Sequence, residues 1–173
     1  MKQIILILSV FLLCACSKDD DNQSLPPATE YAAGTFACYV DGKPFIDNSG
    51  GWFNCYYQFV EGEYYFAISG KSKVNALQFM VLATEAKTIA EGETLYLTEN
   101  EMGNAWAGSS FYSESISYQF VETNSEYTGE LTITKFDLEE NIVSGTFWFD
   151  LEHPITGEKI EIREGRFDTY FTQ

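Results

Sequence analysis

With one histidine in 173 residues, the chain lacks the raw material for much of enzyme chemistry. His153 stands alone just before Pro154, so a histidine-based triad, a multi-histidine zinc site and a Cys-His dyad all want for partners. No glycine-rich phosphate loop, zinc-type cysteine pair or EF-hand loop is present, and no metal or cofactor is expected. Positive charge is scarce too. Ten Lys and Arg face 26 Asp and Glu, a net charge of −16 that repels nucleic acid and anionic headgroups. No window past residue 16 spaces apolar residues at i, i+3 and i+4 with caps, and Glu85–Ala90 offers one helical turn at most. The longest apolar run, Ile4 to Leu13, falls short of the about 20 residues that a bilayer span requires.

What is present starts with that run. Lys2 and Ile4–Leu13 form the charged and apolar regions of a secretory signal, followed by Leu13-Cys14-Ala15-Cys16. A small residue before cysteine resembles the lipobox of bacterial lipoproteins. The resemblance implies cleavage between Ala15 and Cys16, with lipid on the Cys16 thiol and on the new amino terminus. The plainer reading is an ordinary signal peptide, which needs no cysteine there. Ser17, Lys18, Asp19, Asp20 and Asp21 are similar to the acidic export tag that follows the lipidated cysteine in Bacteroidetes lipoproteins. That likeness implies an outer-membrane, lipid-anchored protein displayed at the cell surface, although a block of like charge also serves as a solvated linker. The chain thus divides into a leader over 1–15, a lipidated tether over 16–33 stiffened by Pro26-Pro27, and one domain over 34–173.

Two cysteines remain for the domain. Alternation groups Cys38 with Phe36 and Val40, and Cys55 with Phe53, Tyr57 and Phe59, so both thiols point into one apolar interior. Export would let them pair as a disulfide, and two buried, unpaired thiols satisfy the same pattern.

From Gly34 onward the period is two. Strands are expected over Thr35–Val40, Lys43–Ile46, Trp52–Val60, Glu63–Ser69, Ala76–Thr84, Glu93–Thr98, Ser115–Val121, Glu130–Phe136, Val143–Leu151, Lys159–Arg163 and Arg166–Thr172. Asp41-Gly42, Glu61-Gly62, Pro154–Gly157 and Glu164-Gly165 mark turns, and Asn100–Ser113 reads as irregular. The fold class is all-β, an antiparallel β-sandwich or a flattened up-and-down barrel of about nine to ten strands. Gly34-Thr35-Phe36, Asp41–Phe45, Ser144–Phe147, Thr156-Gly157 and Gly165–Asp168 resemble an uncharacterised family of Bacteroidetes lipoproteins whose function is unknown. The likeness covers most of Gly34–Phe171 and is densest at the two ends. Its motifs are turn and core residues, so it implies fold and location but no chemistry.

Two carboxylates would suffice for a glycosidase, yet with this many acids some pair always falls at a suitable distance. An enzyme is not expected. Aromatic residues are the better candidates. Trp52, Tyr56 and Trp148 fall on the face opposite the cysteines and phenylalanines, and Trp106 sits in the irregular stretch. Exposed rings beside polar side chains can stack on sugars, while outer rings can also merely shield a sheet. The expectation is a non-catalytic binding or accessory domain, with a glycan or an outer-membrane protein as partner. A carrier of a small apolar ligand inside a β-barrel is the remaining alternative.

Overall fold

Alternation sets the inside and outside of the domain. Phe147, Phe149 and Leu151 are buried while the alternating Thr146 and Trp148 are exposed, and Phe167, Thr169 and Phe171 repeat the inward parity. The computed structural model describes residues 24–49, 54–74, 76–114 and 117–173. Its strands are β1 (Thr35–Val40), β2 (Lys43–Ile46), β3 (Asn54–Val60), β4 (Glu63–Val74), β5 (Leu77–Thr84) and β6 (Thr94–Leu97). They are followed by β7 (Ala105–Phe111), β8 (Gln119–Glu122), β9 (Gly129–Asp137), β10 (Ile142–Glu152) and β11 (Lys159–Tyr170).

All eleven strands belong to one sheet, ordered β2-β1-β11-β10-β9-β6-β7-β5-β4-β3, with β8 on β7. It is mixed, because β6 and β7 run parallel while the other pairs are antiparallel. The sheet curls into a half-barrel, so the all-β class holds, while the parallel β6–β7 pair departs from the antiparallel arrangement expected. Past β11, Thr172 bridges Tyr56, with its carbonyl accepting from Tyr57 N–H at 2.8 Å and its N–H donating to Cys55 at 3.0 Å. At the other side Asn48 N–H reaches the Lys71 carbonyl at 3.2 Å.

Three departures from the sequence reading matter. Ala105–Phe111, read as irregular, is an interior strand; Gly108 and two serines broke its apolar pattern, and Ser109 and Ser110 are both buried, which a hydroxyl tolerates where it finds a hydrogen-bond partner. Ser109 donates to the Phe79 carbonyl at 2.8 Å. Second, Glu164-Gly165 is a bulge inside one long strand and not a turn between two. Third, Cys38 and Cys55 do face the core, but as free thiols. β1 and β3 are not paired neighbours, so the sheet does not set the two residues opposite each other. The Cys38 sulfur instead lies 3.8 Å from that of Met80, and burial pushes both thiols far above their ordinary value.

The interior is filled by a chain of ring contacts. Phe36 meets Phe45 and Phe147, Phe147 meets Phe149 and Phe167, and Phe167 meets Phe66, with centroids 5.3–6.4 Å apart. The buried core among the described residues lies between Phe36 and Phe171, so residues 24–173 carry all of that core.

The expected tether does not end where the domain begins. Residues 29–33 lie as a strap over the outer face of β11, clasped by Asp168. That carboxylate accepts from the Thr29 hydroxyl at 2.6 Å and from the amides of Tyr31, Ala32 and Ala33 at 2.8–3.2 Å. A fifth bond comes from the Ser144 hydroxyl at 2.7 Å. Burial alone would raise the Asp168 carboxyl, but these donors outweigh it and hold it below its ordinary value.

Candidate functional site

Outward-facing residues of β6, β9 and β10 line up in rows. Pairing of Tyr96 with Glu130, and of Glu130 with Trp148, makes one row. Two residues along, Thr94, Thr132, Thr146 and Arg166 make the next. Tyr96 and Trp148 are two strand spacings apart, roughly 9–10 Å, with the glutamate between them. Tyr96 is 72% exposed and Trp148 36%. The indole is oriented by its N–H, which donates to Glu130 Oε2 at 3.2 Å, while Thr94 and Thr132 share a hydroxyl–hydroxyl bond of 2.9 Å.

β11 completes this face through its bulge. Phe147 pairs with Gly165 and Phe149 with Ile162; Ala37 pairs with Arg166 and Tyr39 with Arg163, so one residue is extra on β11 in both ladders. Glu164 takes up the excess in the left-handed region, at φ 52°. Residues 163 and 166 would point to opposite faces of a regular strand. The extra residue reverses the parity, and both arginines of the chain arrive on the outer face. Gly165 allows it: a Cβ there would lie 2.3 Å from the Phe147 ring.

Arg163 places its guanidinium carbon 5.5 Å from the centre of the Trp148 ring and pairs with Asp150 at 2.6 Å and Glu161 at 3.0 Å. Arg166 donates to the Glu164 carbonyl at 3.0 and 3.1 Å and to the Pro26 carbonyl at 3.2 Å. A cleft of about 380 Å³ opens between Trp148, Glu130, Thr132, Thr146, Glu164 and Arg166, with Ala28, just ahead of the strap, on its border. Both arginines are already engaged by acids and carbonyls, and Glu130 and Glu164 line the cleft, so it does not favour an anion. Hydroxyls, a carboxylate and a planar ring in one open cleft fit a neutral, polyhydroxylated ligand.

The other aromatic candidates are placed differently. Trp106 lies on β7, half-buried, its N–H on Glu85 Oε1 at 3.2 Å and its ring edge-on to Phe120 at 6.4 Å. Tyr56 shares that patch: Tyr56, Ala67, Ala83 and Trp106 follow one another across β3, β4, β5 and β7. Burial, and then the Glu85 carboxylate, push the Tyr56 phenol above its ordinary value. Trp148 is not part of this patch. Trp52, Ala15, Cys16, Ser17, Lys18, Asp19, Asp20 and Asp21 lie outside the described residues.

His153 serves its own turn, Nδ1 accepting from the amides of Ile155 and Thr156 at 3.2 and 3.1 Å. Among the described residues, no group of three or more His, Cys, Asp or Glu is arranged to hold a metal ion. Sequence reasoning missed Tyr96, Glu130, the paired arginines and the Asp168 clasp. The signals for the arginines were in view, since they lie three apart around Glu164-Gly165, but a turn explained those residues equally well.

No known protein family, curated protein or solved structure matches this chain.

Proposed function

We propose that this chain is an outer-membrane lipoprotein whose domain binds an uncharged glycan across the Tyr96–Glu130–Trp148 face. In this reading Cys16 carries the lipid, and Ser17, Lys18, Asp19, Asp20 and Asp21 direct the protein to the cell surface. Three acyl chains exceed the two membrane signals that stable anchoring requires. The domain holds its ligand without transforming it. The hydrogen bonds that join Thr172 to β3 support reading the half-barrel as a flattened barrel.

One observation carries the binding reading: Trp148 stands at an open cleft with its plane fixed by Glu130, beside threonine hydroxyls and in the same cross-strand row as the exposed Tyr96. Sugar rings present apolar C–H faces and polar rims, and such a site offers a partner to each. A ligand touching both rings crosses the strands and does not run along them.

The test is a glycan array probed with residues 24–173, wild type and Trp148→Ala. Binding of neutral oligosaccharides that Trp148→Ala abolishes, with the fold intact by circular dichroism, is the expected result. Equal binding by the variant, or none by the wild type, overturns the assignment. For the anchor, Cys16→Ser should lose lipid labelling; normal labelling of that variant overturns lipidation at Cys16.

A further inference from the structure

At the end of the half-barrel where β3 turns into β4 and β9 turns into β10, inward-pointing residues continue past the filled core. Tyr57, Phe59 and Tyr64 come from the first hairpin, and Phe136 and Leu138 from the second. Between the hairpins lies a cleft of about 650 Å³, bordered by Ile89, Thr88 and Gln173. Its volume falls within the range of small-molecule sites.

The cleft has two ring-bearing walls. On one, Tyr57 stacks on Tyr64 at 4.8 Å with 9° between planes, and Phe59 leans on Tyr64 at 4.8 Å. On the other, Phe136 meets Tyr57 edge-on at 5.0 Å and backs onto Phe171 at 5.4 Å. The lip is apolar and open: Phe59 is 62% exposed and Leu138 55%. A cluster of large apolar side chains left in water at the mouth of a concavity marks a place that gains by being filled. The barrel interior beneath cannot serve, because its own phenylalanines fill it.

Charge narrows the occupant. Asp137 lies between Phe136 and Leu138 in the chain, and the Glu91 carboxylate accepts from the Phe136 amide at 3.2 Å. Glu93 acts electrostatically on Tyr57 and Lys135 on Asp137, and Lys87, whose amide donates to the Tyr64 carbonyl at 2.9 Å, precedes Thr88 at the border, so three acids stand against two bases. Acids therefore outnumber bases around the cleft, and a fatty acid or another anionic amphiphile would enter against repulsion. We propose that this cleft is a second binding site, independent of the Trp148 face, for a planar aromatic small molecule that carries no negative charge.

The probe is 1-aminoanthracene, a neutral ring system that brightens on leaving water, titrated into detergent-free residues 24–173. Saturable enhancement is expected, with affinity reduced at least about tenfold in Phe59→Glu/Leu138→Glu and unchanged in Trp148→Ala. Both replaced side chains are exposed, so the double variant keeps the core. The anionic dye 1-anilinonaphthalene-8-sulfonate should bind more weakly than the neutral one. No enhancement, an unaltered affinity in the double variant, or tighter binding of the sulfonate would each overturn the proposal.

Discussion

Trp106 and Trp148 start from the same local device. Each points outward from an interior strand and donates its indole N–H to a glutamate at 3.2 Å, Glu85 in one case and Glu130 in the other. They differ in what surrounds them. Trp106 is met edge-on by Phe120, and its neighbours across the sheet are Ala83 and Ala67, too short to build walls. Trp148 has threonine hydroxyls beside it, a bulge that delivers two arginines, and Ala28, just ahead of the strap, on the border of its cleft. A glutamate fixes the plane of a ring; the flanking backbone decides whether a ligand can reach it. The first ring serves as packing and the second as the candidate platform.

The strongest way to break that comparison is to remove the strap, which only the Trp148 side has. Asp168→Ala leaves five donors without their carboxylate, and the expected loss is about 3–5 kcal/mol of unfolding free energy in urea titrations. Glycan binding at the cleft should weaken as its Ala28 border loosens. The same clasp predicts a pH dependence. Since the folded carboxyl titrates below its ordinary value of 3.8, the stabilisation is complete above 3.8 and disappears as pH falls through the folded value. Wild type should therefore lose more stability than Asp168→Ala over that acidic interval. Parallel losses would remove Asp168 as the cause.

Next in size is Gly165→Ala. Its new methyl would meet the Phe147 ring, and the expected cost is about 1–3 kcal/mol by the same titration. The bulge would shift with it, so Arg163 should leave Trp148 and the tryptophan emission should change. A full-cost variant with unchanged emission would show that the bulge and the ring are independent.

These two sites also show where sequence was informative. Strand parity was legible wherever apolar and polar residues alternate without interruption: Thr146–Leu151 and Phe167–Phe171 face as read. It failed where an outer residue is covered by something the pattern does not encode. Asp168 has outward parity and yet is fully buried, because residues 29–33 lie across it. That segment ends a stretch from residue 22 whose composition, polar or small around Pro26-Pro27, is equally that of a free tether. It failed again on β7, where glycine and serine lie inside the sheet, and at Glu164-Gly165, since a bulge and a tight turn ask for the same residues. Of the candidate site, Trp148 was legible from alternation, whereas the rows joining it to Tyr96 depend on β6 pairing with β9, which no local pattern specifies.

Smaller effects separate the two rings directly. Trp106→Ala removes a half-buried indole that Phe120 packs against, with an expected cost of about 1–3 kcal/mol, below the full price of a core tryptophan. Trp148→Ala should cost less than about 1 kcal/mol, as befits a more open ring. Binding should respond in the opposite order: Trp148→Ala abolishes the glycan signal and Trp106→Ala leaves it within about twofold. A Trp106 variant that folds but no longer binds would transfer the platform to the Glu85 patch.

The smallest expected effect tests what holds Trp148 in place. Arg163→Lys keeps a positive charge near Asp150 and Glu161 but gives up the planar group over the indole. Exposed ion pairs contribute little, and a cation over an aromatic face adds about 0.5–1 kcal/mol at an exposed site. A double-mutant cycle with Trp148→Ala isolates the ring contact from the ion pairs, because the Asp150 pairing is common to both backgrounds. A coupling of about 0.5 kcal/mol or more that persists at high salt is expected, since an open ion pair is screened while a stacked guanidinium is less so. Zero coupling would mean that Asp150 alone positions Arg163 and that the Glu130 hydrogen bond alone fixes the ring. Trp148 would then be as free on its outer side as Trp106 is covered, and the contrast between the two faces would widen.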